Sequence, residues 1–247
     1  MSILLYDDSF EGLLTSIYDA FYSKTQIEGI YGKFDFNSPL LLGEIIEVST
    51  DINKFKKVRS AIINKIDSLC LKKIYMVYLS NLDDKGTIIF KYLKVAFKLK
   101  GDVHSFLHID IIHQIDKIKK QVSLEAHRFK GFIRFKSIDD TFLYSSIEPD
   151  NDILELIGNH FMKRFSNEYW IIHDISRNKA LIYDTNNYEI IELLEADCKK
   201  LIELNDEYSS LWKTYFKSTT IEERKNLRLQ KRMMPKRYWK HIFETKN

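Results

Sequence analysis

The sequence predicts an α+β fold, and three observations carry that prediction. Apolar residues recur at helical spacing through most of the first 120 positions. After about Gln121, two pairs of short runs alternate apolar and polar residues with period two, which is how half-buried strands read. Only 8 Gly and 3 Pro (Pro39, Pro149, Pro235) punctuate 247 residues, which argues against long linkers and a loop-dominated chain. The expected layout is a mostly helical part over residues 1–120 with one short strand. An α+β part over residues 121–247 follows, with a small antiparallel sheet of two hairpins, helices and a basic C-terminal helix. The two parts form either separate domains or one continuous domain.

The elements follow in order. Ile3–Tyr6 is a short apolar run ending in Asp7-Asp8-Ser9, a helix N-cap signal. Phe10, Leu13, Leu14, Ile17, Ala20 and Phe21 then recur as one helical face. Gly29–Gly43 is the main break of this half, and Thr50 is the candidate cap of what comes next. Helices are expected over Asp51–Asp67, Leu69–Leu79, Lys85–Lys98 and Val103–Lys120. Phe132–Ile138 and Thr141–Ile147 read as a hairpin around Asp139-Asp140. Asp150–Phe165 reads as a helix, and Tyr169–Ile175 with Lys179–Asp184 as a second hairpin. Glu189–Phe216 is expected to be mostly helix, and Thr220-Ile-Glu-Glu223 is a capping box that opens the basic helix.

Bulk properties exclude several classes. A hydrophobic content of 45% with 30% charged residues suits an ordinary globular chain. No apolar run reaches the roughly 18–20 residues that span a bilayer. The start, MSILLYDDSF, lacks the basic n-region of a signal peptide. Cys70 and Cys198 have no CxxC spacing, which suits a reducing compartment. A cytoplasmic protein with no membrane role is expected.

The net charge of +3 conceals a strong asymmetry. Asp184 to Glu207 holds eight acids against Lys199 and Lys200. Ser218–Glu244 instead gathers Arg224, Lys225, Arg228, Lys231, Arg232, Lys236, Arg237 and Lys240, with Tyr238, Trp239 and His241 among them. At 100° per residue, Arg224, Lys225, Arg228, Lys231 and Arg232 fall within an arc of about 120°. Cations interleaved with aromatic rings suit a phosphate backbone and unstacked bases. A solvated helix facing the acidic segment next to it, with Tyr238 and Trp239 as core anchors, is the alternative.

Several segments also carry a resemblance: Tyr6–Leu14, Glu125–Phe135, Ile147–Asp150, His160–Phe165, Trp170–Asp174, Leu211–Phe216, Ile221–Asn226 and Met234–His241. Together they resemble an uncharacterised bacterial family, a domain of unknown function described as DNA-metabolism or DNA-repair proteins. One departure is Asp8, where the family pattern has Gly; only the first turn should feel it. The resemblance implies a companion of a radical-SAM, DNA-repair-like protein, and some relatives carry a fused uracil-DNA-glycosylase-like domain. It implies no established reaction.

Candidate chemistry is sparse. Arg128, Lys130 and Arg134 surround Gly131 and would extend the positive surface, or else are ordinary helix-end and strand cations. Glu148, Asp150 and His160 are weak catalytic candidates: two carboxylates to hold a metal beside a phosphate, with an imidazole on roughly the same helix face. Helix-capping acids are the plainer reading. His173 and Asp174 are consecutive strand residues and face opposite sides, so they make no dyad. His104 and His108 have i,i+4 spacing but no HExxH pattern. No phosphate loop, GxGxxG or Ser-centred elbow occurs, and no cofactor or metal is expected. The resulting expectation is an accessory protein that binds DNA through its basic C-terminal helix and acts with a partner enzyme. A DNA- or nucleotide-processing enzyme and a protein–protein adaptor are the alternatives.

Overall fold

Five consecutive buried residues make Ser2–Tyr6 the central strand, β1, of a covered parallel sheet. The computed structural model describes residues 2–34, 44–138, 141–193 and 227–242. The chain divides into two units, Met1–Ser123 and Leu124–Asn247, with the division inside a helix. The whole is α+β.

In the first unit β1 lies between β2 (Ile27–Gly32) and β3 (Glu44–Glu47), both parallel to it. These two strands correct the expectation of one strand and a long break. β2 is interrupted by Gly29 and β3 spans four residues with two exposed glutamates, so neither displays a clean period. Ser9 caps α1 (Phe10–Tyr22), its hydroxyl accepting from the Gly12 amide at 2.9 Å. Asp8 sits at φ 63°, the left-handed region that favours glycine; Asp tolerates it better than most residues. Asp51, not Thr50, caps α2 (Ile52–Lys65), while the Thr50 hydroxyl donates to Asp7 at 2.6 Å. Asp67 caps α3 (Ser68–Tyr78). Helix α4 (Lys85–Leu99) presses against β2: a Cβ on Gly86 would stand 2.6 Å from the Ile30 carbonyl oxygen. The helix expected from Val103 is instead a 3-10 turn (Lys100–Ser105) followed by α5 (Asp110–Phe132). Leu13, Leu14, Ile17, Ile30, Ile62, Ile74 and Ile89 fill this core.

The second unit is built on a five-stranded sheet in the order β4 (Lys136–Ile138), β5 (Phe142–Ile147), β6 (Trp170–Asp174), β7 (Lys179–Tyr183), β8 (Tyr188–Glu192). Both expected hairpins are present, β4 with β5 and β6 with β7. The sheet is mixed rather than antiparallel, because β5 and β6 run parallel. A parallel pair needs a crossover, and α6 (Leu154–Arg164) supplies it. Gly158 on α6 lets the helix lie on the sheet: a Cβ there would meet the Tyr188 ring at 3.0 Å. Phe161 packs on Trp170 with ring centroids 6.3 Å apart. Glu189–Glu192, expected as the start of a helix, instead belongs to the edge strand β8. Its YEIIE pattern suits either, and pairing with β7 decides. Phe132 ends α5 rather than starting a strand, and Gly131 lies inside the helix. The short helix α7 (Leu227–Met233) and a 3-10 turn (Lys236–His241) close the described chain. The capping box and most of the acidic stretch lie outside the described residues. No helix among the described residues is long and apolar enough to cross a membrane.

Candidate functional site

The C-terminal ends of the parallel strands β5 and β6 converge on one polar cluster, the place where open sheets tend to carry sites. Its centre is Glu125 on α5, a carboxylate only 7% exposed. Oε1 accepts from the Asp150 amide at 2.9 Å and from the Tyr238 hydroxyl at 2.5 Å. Oε2 accepts from the Asn151 amide at 2.9 Å and from its side-chain Nδ2 at 2.5 Å. A buried carboxylate is tolerable only when donors replace its water, and here four do.

Tyr238 lies between Glu125 and Arg237. Its ring packs edge-on against Phe129, centroids 4.8 Å apart, and next to Phe132 at 6.1 Å. Burial, then the bond to Glu125, pushes its phenol well above the usual tyrosine range. Arg237 stacks over the same ring with its guanidinium 4.8 Å from the centroid, donates to the Tyr238 hydroxyl at 2.8 Å and pairs with Asp150. Partial burial opposes the charge of Arg237, but Tyr238, Asp150 and Glu125 outweigh it and hold the guanidinium above its ordinary value. Lys240 pairs with Glu148, and His241 bridges Glu148 at 3.4 Å and the Ser146 hydroxyl at 3.1 Å.

A second group holds the same loop from the β6 side. Asp174 is fully buried, accepts from the Ser176 amide at 3.1 Å and pairs with Arg177 at 2.9 Å. Arg177 also donates to the carbonyl oxygens of Pro149 at 3.2 Å and Asp150 at 2.5 Å. Burial raises the Asp174 carboxyl to about 6, with Arg177 opposing it. His173 faces the other side, as strand alternation requires. It is fully buried, its Nδ1 is 2.9 Å from the Tyr144 hydroxyl, and Nε2 has no partner among the described residues. Burial depresses its basicity.

The candidate residues are thus sorted. Glu148 and Asp150 do not cap a helix, since α6 starts at Leu154; they neutralise Lys240 and Arg237. His160 does not share a helix with Asp150. Its ring stands against Phe161, and burial followed by the charges of Lys130 and Arg164 lowers its pKa. Lys130 is half-buried near the end of α5. Arg134 turns its guanidinium back on the carbonyl oxygens of Gly131 at 2.7 Å and Ile133 at 3.3 Å. Arg128 is half-buried and borders the stripe of Glu125, Phe129 and Phe132, about 60° from Glu125. Buried Tyr238 cannot stack on a base. Trp239 is half-buried, with its indole N–H donating to the Met234 carbonyl at 3.0 Å. Arg228, Lys231, Arg232 and Lys236 are exposed, and none has a carboxylate partner among the described residues. Arg224 and Lys225 lie outside the described residues. His104 bonds Asp67 at 2.8 Å from the 3-10 turn, so the i,i+4 helical pair with His108 does not form. Among the described residues no three His, Cys, Asp or Glu side chains group to hold a metal.

Two keystones, Glu125 and Arg177, were not singled out as site residues by their sequence. The available signal was a glutamate beside Ala126 and four before Phe129, within an apolar stripe. Four of the segments that carry the family resemblance meet here: those of Glu125, Glu148–Asp150, His173–Asp174 and Arg237–His241. These contacts form one continuous network, and residues 83–244 match a family model described as a domain of unknown function, DUF4130. The chain belongs to that family. No curated protein and no solved structure matches it.

Proposed function

We propose that this protein binds nucleic acid on the cationic face of α7 and Lys236, as an accessory factor of DNA metabolism in the cytoplasm. The observation that carries the reading is an imbalance within one short stretch. Arg237 and Lys240 are each neutralised by an acid of their own unit, whereas Arg228, Lys231, Arg232 and Lys236 are left open. Arg228, Lys231 and Arg232 stand at i, i+3 and i+4, so they share one helix face. Unneutralised guanidinium groups offer phosphates paired, charge-assisted hydrogen bonds. The Glu125 network supports the same reading from beneath, because it fixes the turn that follows α7. Work beside a radical-SAM, DNA-repair-like partner rests on the family resemblance alone.

The test is a filter-binding titration of duplex and single-stranded DNA with the Arg228→Glu, Arg232→Glu double variant. Affinity should fall by about tenfold or more, since two phosphate attractions become repulsions. Unchanged affinity rejects this face.

A further inference from the structure

A groove of about 710 Å³ in the first unit opens between α1, α2 and α4, with Tyr18, Phe21, Tyr22, Lys57, Lys65 and Phe97 among its walls. That volume suits a small ligand of nucleotide size. Its rings are unusually open: Tyr22 is 74% exposed and Phe21 40%. Tyr18 and Tyr22 lie 4.6 Å apart, and Phe21 stands edge-on to Phe90 at 5.4 Å and Phe97 at 5.7 Å. Lysines surround these rings. Lys54 and Lys57 hover over Tyr18 at 5.8 and 5.7 Å, and Lys94 over Phe90 at 4.2 Å. Of Lys54, Lys57, Lys65 and Lys94, only Lys54 has a carboxylate among the described residues, Asp19 at 2.6 Å.

An exposed aromatic cluster alone would suit any apolar partner. Two wall lysines without acids, Lys57 and Lys65, change the chemistry, because an apolar occupant would leave those charges uncompensated at its edge. Flat rings beside open cations match a base with its phosphates. We infer that this groove seats an unstacked nucleobase presented by single-stranded nucleic acid, with Tyr22 as the stacking platform and Lys57 and Lys65 at the flanking phosphates. The inference takes its ligand class from the nucleic-acid reading but uses none of the α7 residues, so the two can fail separately.

The experiment is a fluorescence-anisotropy titration of the full chain with labelled oligo(dT) and with a labelled duplex, and a competition by free dTMP. The variants are Tyr22→Ala, the pair Lys57→Glu with Lys65→Glu, and the pair Arg228→Glu with Arg232→Glu. Tyr22 is exposed, so its truncation spares the fold. Tyr22→Ala should weaken oligo(dT) binding roughly 5- to 150-fold and leave the duplex unchanged. The lysine pair should weaken oligo(dT) and flatten its salt dependence. Unchanged oligo(dT) affinity in both groove variants overturns the inference, whatever the arginine pair does. Displacement by dTMP at concentrations comparable to the strand overturns the single-strand assignment. So does a dimer in light scattering that Tyr22→Ala dissolves, which would make a second copy the occupant. Groove variants that act while the arginine pair is silent uphold the groove and reject the α7 face.

Discussion

Replacing Glu125 with alanine would remove the acceptor of four hydrogen bonds in a site 7% exposed. Two backbone amides, one carboxamide and one phenol would be left without it. A hydrogen bond to a charged group contributes about 1.5–3 kcal/mol net, and stranded buried donors cost about 1–3 kcal/mol each. The four share one group and a loop that can relax, so their losses do not add. A destabilisation of about 4 kcal/mol is expected, near the upper end for single substitutions. At about 2–4 °C per kcal/mol, the melting temperature should drop by roughly 8–16 °C. Urea unfolding followed by tryptophan fluorescence reads this directly, because Trp170 and Trp239 lie in the same unit. A double-mutant cycle isolates the central bond. Tyr238→Phe should cost about 1–2 kcal/mol in the native background and much less beside Glu125→Ala, a coupling of about 1 kcal/mol or more. An additive cycle, or a Glu125→Ala loss under about 1 kcal/mol, would refute the claim that this carboxylate organises the loop.

Other substitutions have defined signs. Arg177→Ala strands fully buried Asp174 and releases two carbonyl oxygens, so a loss of about 3–5 kcal/mol is expected in the same urea assay. Asp174, raised to about 6 from an unfolded value near 3.8, contributes stability present below about pH 4 and lost as pH rises through 6; Asp174→Asn should flatten urea midpoints across that window. His173 acts oppositely: its depressed pKa means stability is lost as pH falls below about 6.5, and His173→Phe should reduce that acid-side loss. Gly86→Ala should destabilise by about 1–3 kcal/mol in thermal melts despite better helix propensity, because its Cβ meets a backbone oxygen at 2.6 Å. Gly131→Ala, inside α5 with nothing within 4 Å of its Cβ, should instead stabilise by about 0.5–1 kcal/mol.

Much of the fold was readable because it depends on local pattern. The helices around Phe10–Tyr22, Ile52–Lys65, Ser68–Tyr78 and Lys85–Leu99 show their buried stripes directly. Both hairpins show period two. What escaped depends on pairing between distant segments. β2 and β3 are strands because β1 offers them two edges, and the β5–β6 pair is parallel only because α6 intervenes. The site divides the same way. The cluster of cations was visible as composition, but which of them are free was not. Arg237 and Lys240 meet Asp150 and Glu148 from 87 and 92 positions away, and no periodicity announces such a partner. The placement of Glu125 was equally hidden, since its donors come from the β5–α6 loop and the last 3-10 turn.

An open cationic face on α7 and Lys236 should reveal itself most directly in the salt dependence of DNA affinity. Four neutralised phosphates predict a slope of log K against log salt near about −3.6 for duplex and about −2.8 for single strands. The Arg228→Glu, Arg232→Glu variant should flatten that slope. A salt-independent affinity, or no binding at low salt, would contradict the account.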